Sequence, residues 1–433
     1  MSANGILWLV EDGLDLLNED HNMKRLKKIA LFLSVLIVLS LVSTSCENVN
    51  TATSTAALGK AIYWKVLAEG VAAHSGTLGL SEVAAAASGT RQDVMFGLDY
   101  GLALKSDGTV WSWIIDAAGQ MQASEPAQVS RLNEITAIST GMGNSLALAS
   151  DGNVWYWYVF GNLPVGTTTT TPLTATSPTI PASLNPTPLQ QMGLSKATAI
   201  SAGLRYSLVL LADGIVWAWG ENEWGQLGDG TATNNDIPVQ IKNLNGVVAI
   251  SAGHYHALAL KSDGTVWAWG DNESGELGNG TTLSSYVPVQ VNGLNGIVAI
   301  AAGEAHSLAL KNDGSVWSWG NNESGQAGNG TQNSKDNQAV VSPVKVKNLK
   351  NVVAIAEGGL PGGGAELNGG MVKYGAGYCL ALKSDGAVWT WGALGWTDEP
   401  WTEPHNSLPV IVSDLSNVQA IAGGGNYSIA VVP

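Results

Sequence analysis

Residues 247–281 read VVAISAGHYHALALKSDGTVWAWGDNESGELGNGT, and residues 297–331 repeat them as IVAIAAGEAHSLALKNDGSVWSWGNNESGQAGNGT. Looser copies lie on both sides. A fixed period of about 50 residues marks a solenoid, a propeller or another array, because one such unit cannot bury its apolar face alone. Within the unit, VVAISAG is small and apolar. HALAL alternates, with Leu258 and Leu260 on one face and Ala257 and Ala259 on the other. Lys261-Ser262-Asp263-Gly264 is a tight turn, since Asp-Gly supplies the backbone angles a hairpin needs. TVWAWG places Trp267 and Trp269 on one face of the next strand. After the loop DNESGELGNGTT, Pro288-Val289-Gln290-Val291 is a short strand opened by proline, which suits a sheet edge. Nothing in the unit has helical period. Four short strands with short connections describe a propeller blade. The Ala/Gly-rich strand belongs innermost, where blades converge, and the Trp pair fills the space between neighbours, which accounts for most of the 17 tryptophans.

Outward from this template, a first blade runs from Leu80 to about Leu132 with Trp111 and Trp113. A second, from Ile135 to about Leu194, carries Trp155 and Trp157 and a Thr/Pro-rich insertion from Gly166. The third holds Trp217 and Trp219. The fifth holds Trp317 and Trp319. The sixth holds a Gly-rich insertion, 358–370, then Trp389 and Trp391 and a Trp/Pro loop from Gly395. The last stretch, 418–432, supplies only two strands. A lone strand at 61–66, with Tyr63 and Trp64, precedes the first blade and lacks a partner. An unclosed ring exposes two edges. The expectation is an all-β, seven-bladed β-propeller of four-stranded blades over 59–433, closed by N-terminal strands joining the C-terminal blade.

The beginning of the chain has a different character. Met23 opens MKRLKK, a basic segment, followed by an apolar run of about 14 residues, 29–42, too short for an ordinary transmembrane span. Ser43-Thr44-Ser45-Cys46 follows. This order resembles a bacterial lipoprotein signal, with cleavage before a lipidated Cys46. It departs from that pattern in Ser43, where leucine is usual, Leu41 lying two residues too early. A plain secretory signal and an uncleaved anchor are the alternatives. On this reading 1–22 is an extension ahead of the true start at Met23, 23–46 is the signal, and 47–58 is a polar tether. The protein is expected in the cell envelope as an exported, membrane-anchored lipoprotein, or secreted.

Composition narrows the partners. The chain is glycine-rich, sparing in charge, and carries a net charge of −15, a poor footprint for nucleic acid.

The run G-x-x-H-S-L-A-L-K-x-D-G-x-V-W-x-W-G-x-N-x-x-G-Q-L-G resembles the repeat of the regulator of chromosome condensation family. Residues 303–328 carry it with Ala327 for the usual leucine. Residues 253–278 carry it with Ala257 for serine and Glu276 for glutamine, and 203–228 with Tyr206 for histidine. The resemblance extends from about Leu80 to the C-terminus and implies a seven-bladed binding platform. Members of the family include an exchange factor for a nuclear GTPase and a bacterial inhibitor that binds β-lactamases, so the resemblance leaves the partner open.

Candidate chemistry is sparse. His256 and His306 fill a slot that other repeats fill with Tyr100, Asn144, Tyr206, Tyr378 and Tyr427, so the slot reads as a hydrogen-bonding position and not a metal ligand. No Cys/His set has zinc spacing. Asp271-Asn272-Glu273 lacks calcium-loop spacing and reads as turn chemistry. Cys379 stands where other repeats have serine or alanine and reads as a small core residue. No cofactor, metal or catalytic constellation is expected, and the protein is expected to be a monomer and not an enzyme. What varies between repeats is the pair of residues after the repeat glycine: Leu98-Asp99, Met142-Gly143, Leu204-Arg205, His254-Tyr255 and Glu304-Ala305. These pairs fall in one inter-strand turn on one face, and turns on a rigid scaffold are where binding is placed. Trp224, where the next repeats have Ser274 and Ser324, is a candidate anchor. The binding candidates are Asp99, Arg205, Trp224, His254, Tyr255 and Glu304, for a protein or glycan. The alternatives are an enzyme with its site at the central channel, and guanine-nucleotide exchange.

Overall fold

The computed structural model describes residues 44–45, 48–49, 60–66, 72–77, 80–90, 98–116, 122–123, 125–141, 144–158, 188–191, 193–333, 339–359, 366–367, 370–371, 377–393, 405–413, 415–424 and 428–433. All lie in one of the chain's two compact units, that of Val42–Pro433. The extension 1–22, nearly all of the signal, Cys46, most of the tether, and the insertions from Gly166 and Gly395 lie outside the described residues.

The template blade consists of Val247–Ala252, His256–Lys261, Val266–Gly270 and Ser285–Gln290, hydrogen-bonded in that order and antiparallel throughout. Its central hairpin shows how sequence becomes turn. Asp263 accepts hydrogen bonds from the Thr265 amide at 3.0 Å and hydroxyl at 2.6 Å. Gly264 sits at φ +80°, a left-handed conformation closed to most side chains, and its amide donates to Lys261 O at 2.9 Å. The same arrangement recurs at Asp107 and Asp313. In each of these turns the hydrogen bonds from the Thr or Ser two residues on hold the aspartate pKa below its ordinary value.

Packing is between blades. Ala257 and Ala259 share a core with Leu208, Leu210 and Trp269, whereas Leu258 and Leu260 share the next with Ala309 and Trp319. Small residues on one face thus leave room for the tryptophan that follows, and leucines on the other face meet the tryptophan of the next blade. The second Trp of each pair is the buried one. In three blades its indole donates to the preceding blade's loop, Trp269 to Gln226 O at 2.8 Å, Trp319 to Glu276 O at 2.6 Å and Trp391 to Gln326 O at 2.9 Å. The first of each pair is half-buried, and Lys261 Nζ lies 5.5 Å from the Trp267 ring centre.

The expectation of seven four-stranded blades is overturned. Six sheets have the four-stranded blade form, and the sheet beginning at Val83–Thr90 holds five strands. There the outer edge is split. Gln122–Ala123 pairs with Ile115 and Asp116, and Ala127–Gln128 pairs with Trp111 and Ser112. Pro126, with no amide to donate, stands at the break. Elsewhere the matching stretch is one strand that crosses its own irregularity, as Ser285–Gln290 does opposite Ala268 and Gly270.

The sixth four-stranded sheet is made from both ends of the chain, in the order Ala420–Gly423, Ser428–Val432, Lys60–Val66, Ala72–Thr77. Trp64 pairs with Ser428 and Lys60 with Val432. Its innermost strand lies against Val83–Thr90, so the circuit of inner strands closes. Two further sheets have two strands each, Thr44–Ser45 with Asn48–Val49 and Glu366–Leu367 with Gly370–Met371.

Candidate binding face

The slot shared by tyrosine, asparagine and histidine forms a hydrogen-bonded belt from blade to blade. Tyr100 Oη donates to Gly141 O and Asn144 O, each at 2.9 Å. Asn144 Nδ2 donates to Tyr206 O at 3.1 Å, and Tyr206 Oη to His256 O. His256 Nε2 lies 2.9 Å from Ser307 Oγ, whose own proton goes to Glu276 O at 3.0 Å. The imidazole is therefore the donor. Tyr378 Oη donates to Gly424 O at 3.1 Å. Each member satisfies a buried group of the neighbouring blade, which is a structural task. Burial, with His306 and His254 alongside, pushes the His256 imidazole down to about 3.

One joint departs from this pattern. His306 Nε2 lies 3.2 Å from Cys379 Sγ and 3.3 Å from Glu357 Oε2. Glu357 belongs to the innermost strand Val352–Gly359, in the position of Ala202, Ala252 and Ala302, and its side chain passes over Gly303, where a Cβ would strike it. Burial drives the Glu357 carboxyl well above the ordinary carboxylate range and His306 down to about 3. Both shifts favour the neutral forms of the two groups. Cys379 is fully buried, and burial together with Glu357 raises its thiol pKa. Glu357 was missed in the sequence, although an acid in a slot otherwise small was the signal.

The variable turns and the loops after the Trp strands do meet on one face, since the Glu221 amide donates to Arg205 O and the Asp271 amide to Tyr255 O. The aromatic rings of Trp224 and Tyr255 lie 6.3 Å apart, tilted by 54°, so the loop of one blade touches the turn of the next. Arg205 Nη1 is 3.2 Å from Glu221 Oε1, a residue the sequence did not single out. Burial pushes the Glu221 carboxyl up, and Arg205 offsets this only in part. Trp224, His254 and Tyr255 are half-buried, and the Arg205 side chain is 45% exposed. Glu304 is not a surface residue, being 6% exposed. Leu204 and Glu304, each first in its pair, are buried, whereas His254 is half-buried and Ala305, second in its pair, is buried. His254 donates its amide to Gly303 O at 3.1 Å, and burial lowers its imidazole to about 4. Asp99 lies on the strand Leu98–Lys105, opposite Thr90, in another blade; its side chain is outside the described residues.

The loops themselves are rigid. Asn222 Oδ1 accepts the Leu227 amide at 2.9 Å while Nδ2 donates to Thr231 O and Thr233 O, and Asn272 repeats the scheme. Asp271 accepts the Asn272 amide at 2.8 Å, a turn role. Among the described residues no group of three His, Cys, Asp or Glu could hold a metal.

Blades joined by a buried belt, with an aromatic and charged cluster on one face, define a propeller scaffold that presents a rigid surface. Residues 19–360 match the RCC1-like domain, and the chain belongs to that family. The fold is similar to that of Prp20p from Saccharomyces cerevisiae, with 21% identity, a TM-score of 0.64, and 87% of this chain and 92% of that chain covered. Yeast RCC1 (Prp20), solved in a structure with Kap60, gives 20% identity, a TM-score of 0.64 and coverage of 90% and 93%. Human WBSCR16 gives 18% identity, a TM-score of 0.62 and coverage of 86% and 98%. These likenesses are of fold alone. Comparison with curated proteins gives no match.

Proposed function

We propose that this chain is a non-catalytic binding platform for a protein or glycan, engaged through the face of Arg205, Trp224, His254 and Tyr255. The observation that carries the reading is the Trp224–Tyr255 contact, which brings an aromatic pair together across two repeats beside the Arg205–Glu221 ion pair. Trp, Tyr and Arg are the residue types that most often carry binding energy at interfaces. Prp20p has binding properties to Gsp1p and histones, which favours a protein partner by analogy of fold. Guanine-nucleotide exchange rests on that analogy alone. Export and a lipid anchor at Cys46 belong to the same proposal and rest on the basic, apolar, small-residue and cysteine order of 23–46.

The test compares the wild-type chain with Trp224→Ala combined with Tyr255→Ala in capture from an envelope extract and on a glycan array. Loss of a wild-type ligand, with the far-UV spectrum unchanged, supports the face, and equal capture removes it. For the anchor, a fatty-acid analogue should label the wild type and not Cys46→Ser. Equal labelling of the two overturns the lipoprotein reading.

A further inference from the structure

The ring's inner strands surround its axis, and the chain's own first strands lie among them. Thr44–Ser45 pairs antiparallel with Asn48–Val49, Ser45 opposite Asn48 and Thr44 opposite Val49. Thr44–Ser45 lies against the inner strands Ile297–Ala302 and Val352–Gly359. Asn48–Val49 lies against three others, Val83–Thr90, Ile135–Thr140 and Ala197–Ala202. These two groups of blades stand on opposite sides of the circuit, with the template blade between them on one side and the closing sheet on the other. A hairpin that meets inner strands from both sides has one place to be, the channel they enclose.

The chemistry of wall and occupant agrees. The described inner strands are built from Ala, Ser, Thr, Gly, Val and Ile, apart from Glu357. Glu357 is engaged at its own joint, 3.3 Å from His306. A wall without free charge suits a strand without charge. Thr44, Ser45, Asn48 and Val49 carry none, and Glu47 falls in the link between the two strands. The connection is also of the right length. The ten residues 50–59 lead from the hairpin to Lys60, in the third strand of the closing sheet. Fully extended they reach up to about 33 Å, whereas two strand spacings inward from Lys60 amount to about 10 Å. So short a link holds the hairpin at an effective concentration on the order of 1 mM, at which a contact with a Kd of about 0.1 mM is made about nine-tenths of the time.

We propose that the central channel is a binding site for a short, uncharged polypeptide hairpin, and that residues 44–49 are its resident plug. The plug needs both of its strands, and Cys46 stands between them in sequence. Hydrolysis of the Ser45–Cys46 bond by a signal peptidase, a step that rests on the lipoprotein reading above, carries Thr44–Ser45 away. Water supplies the new Ser45 carboxyl oxygen and the proton of the Cys46 amine. Asn48–Val49 is left without its partner strand. The channel is then closed in the precursor and open in the processed chain, where it can take a hairpin from another protein. This site is separate from the face of Arg205 and Trp224.

The first test uses the full, unprocessed chain made by cell-free synthesis without membranes, so its outcome is independent of the fatty-acid labelling. Hydrogen exchange over 44–49, read by mass spectrometry, should be about tenfold slower than in a synthetic peptide of residues 42–51. Asn48→Pro, which removes the amide opposite Ser45, should return it to the rate of the peptide. A diazirine-bearing aliphatic residue in place of Val49 should, on irradiation, attach to Val83–Thr90, Ile135–Thr140 or Ala197–Ala202. Adducts on outer strands such as Asn235–Gln240 or Ser285–Gln290, no adduct at all, or exchange equal to that of the peptide overturns the plug. The second test irradiates the same diazirine chain recovered from the cell envelope, with its mass showing whether cleavage has occurred. In a chain cleaved before Cys46 the inner-strand adducts should fall at least tenfold, and their persistence overturns the opening of the channel by processing. A chain recovered with Thr44–Ser45 still attached removes the lipoprotein reading and the opening with it, while the plug is decided by the first test.

Discussion

Two neighbouring joints of the ring use one slot for different chemistry. Where His256 meets Ser307, a neutral donor meets a neutral acceptor and the hydroxyl passes its proton on to Glu276 O. Where His306 meets Cys379, the weaker sulfur acceptor is joined by a carboxyl group, and the partner blade carries an acid where the other described blades carry serine, threonine, alanine or glycine. The frame around both is the same: an indole from the later blade bonded to the loop of the earlier one. A repeat array can therefore differentiate one seam with two substitutions, Cys379 and Glu357, and leave the rest of the blade intact. Nearest-neighbour stacking permits this, because each blade contacts only the next.

The largest effect should come from the shared frame. Trp319→Ala and Trp391→Ala should each cost about 3–5 kcal/mol, because both rings are buried. Chemical denaturation of the two variants should give losses that match. Unequal losses would mean that the two joints differ in frame as well as in chemistry.

A second effect separates them. Gly303→Ala places a Cβ against Glu357 Oε2, and overpacking of this kind costs about 1–3 kcal/mol. Glu357→Ala removes that obstacle, so the double variant should recover part of the loss in thermal melts. Gly253→Ala, whose Cβ would meet Gly303 O and the His256 ring, should show no such relief. An additive result at Gly303 would break the comparison.

Acid sensitivity gives a third. The folded pKa of His256 lies at about 3, below its unfolded value near 6.5, so the stability tied to its neutral form is present above pH 6.5 and lost as pH falls toward 3. His256→Asn, the residue that Asn144 provides in the same slot, should reduce the acid slope by up to about 1.36 kcal/mol per pH unit. Urea midpoints between pH 4 and pH 7 measure it, and an unchanged slope removes His256 from the account.

The smallest effect lies on the face. Arg205→Ala should change stability by no more than about 0.5 kcal/mol, since the side chain is 45% exposed and ion pairs open to solvent contribute little. Glu304→Ala should cost more than Arg205→Ala, because Glu304 is buried. Equal melting temperatures for the two would contradict the difference in burial between Glu304 and Arg205.

Much of this was legible in the chain itself. Asp-Gly turns, the leucine and alanine faces and the paired tryptophans follow from local chemistry, and a slot that accepts His, Tyr or Asn can only be a shared hydrogen-bonding position. The split edge at Pro126 was not legible. The same proline motif elsewhere stays within one strand, and pairing across it depends on how far the partner strand Val110–Asp116 extends. Glu304 stands among the binding candidates because turns on a scaffold are where exposure is expected, and its burial depends on packing between blades. Glu357 required two further facts, that its slot is innermost and that Gly303 in the preceding blade leaves a gap for it.

The sheet built from both ends of the chain has a consequence for biosynthesis. Lys60–Val66 leaves the ribosome before any complete blade, and its partner Ser428–Val432 leaves it after all of them. Pairing them closes the longest loop between paired strands among the described residues, a contact that must wait until every blade between them has been made. Each intervening blade can assemble on its predecessor as it emerges, while the first strand waits with an open edge, the state in which β-rich chains are most prone to pair with one another. Pairing of these two strands, and not the folding of any one blade, is the event that commits the ring.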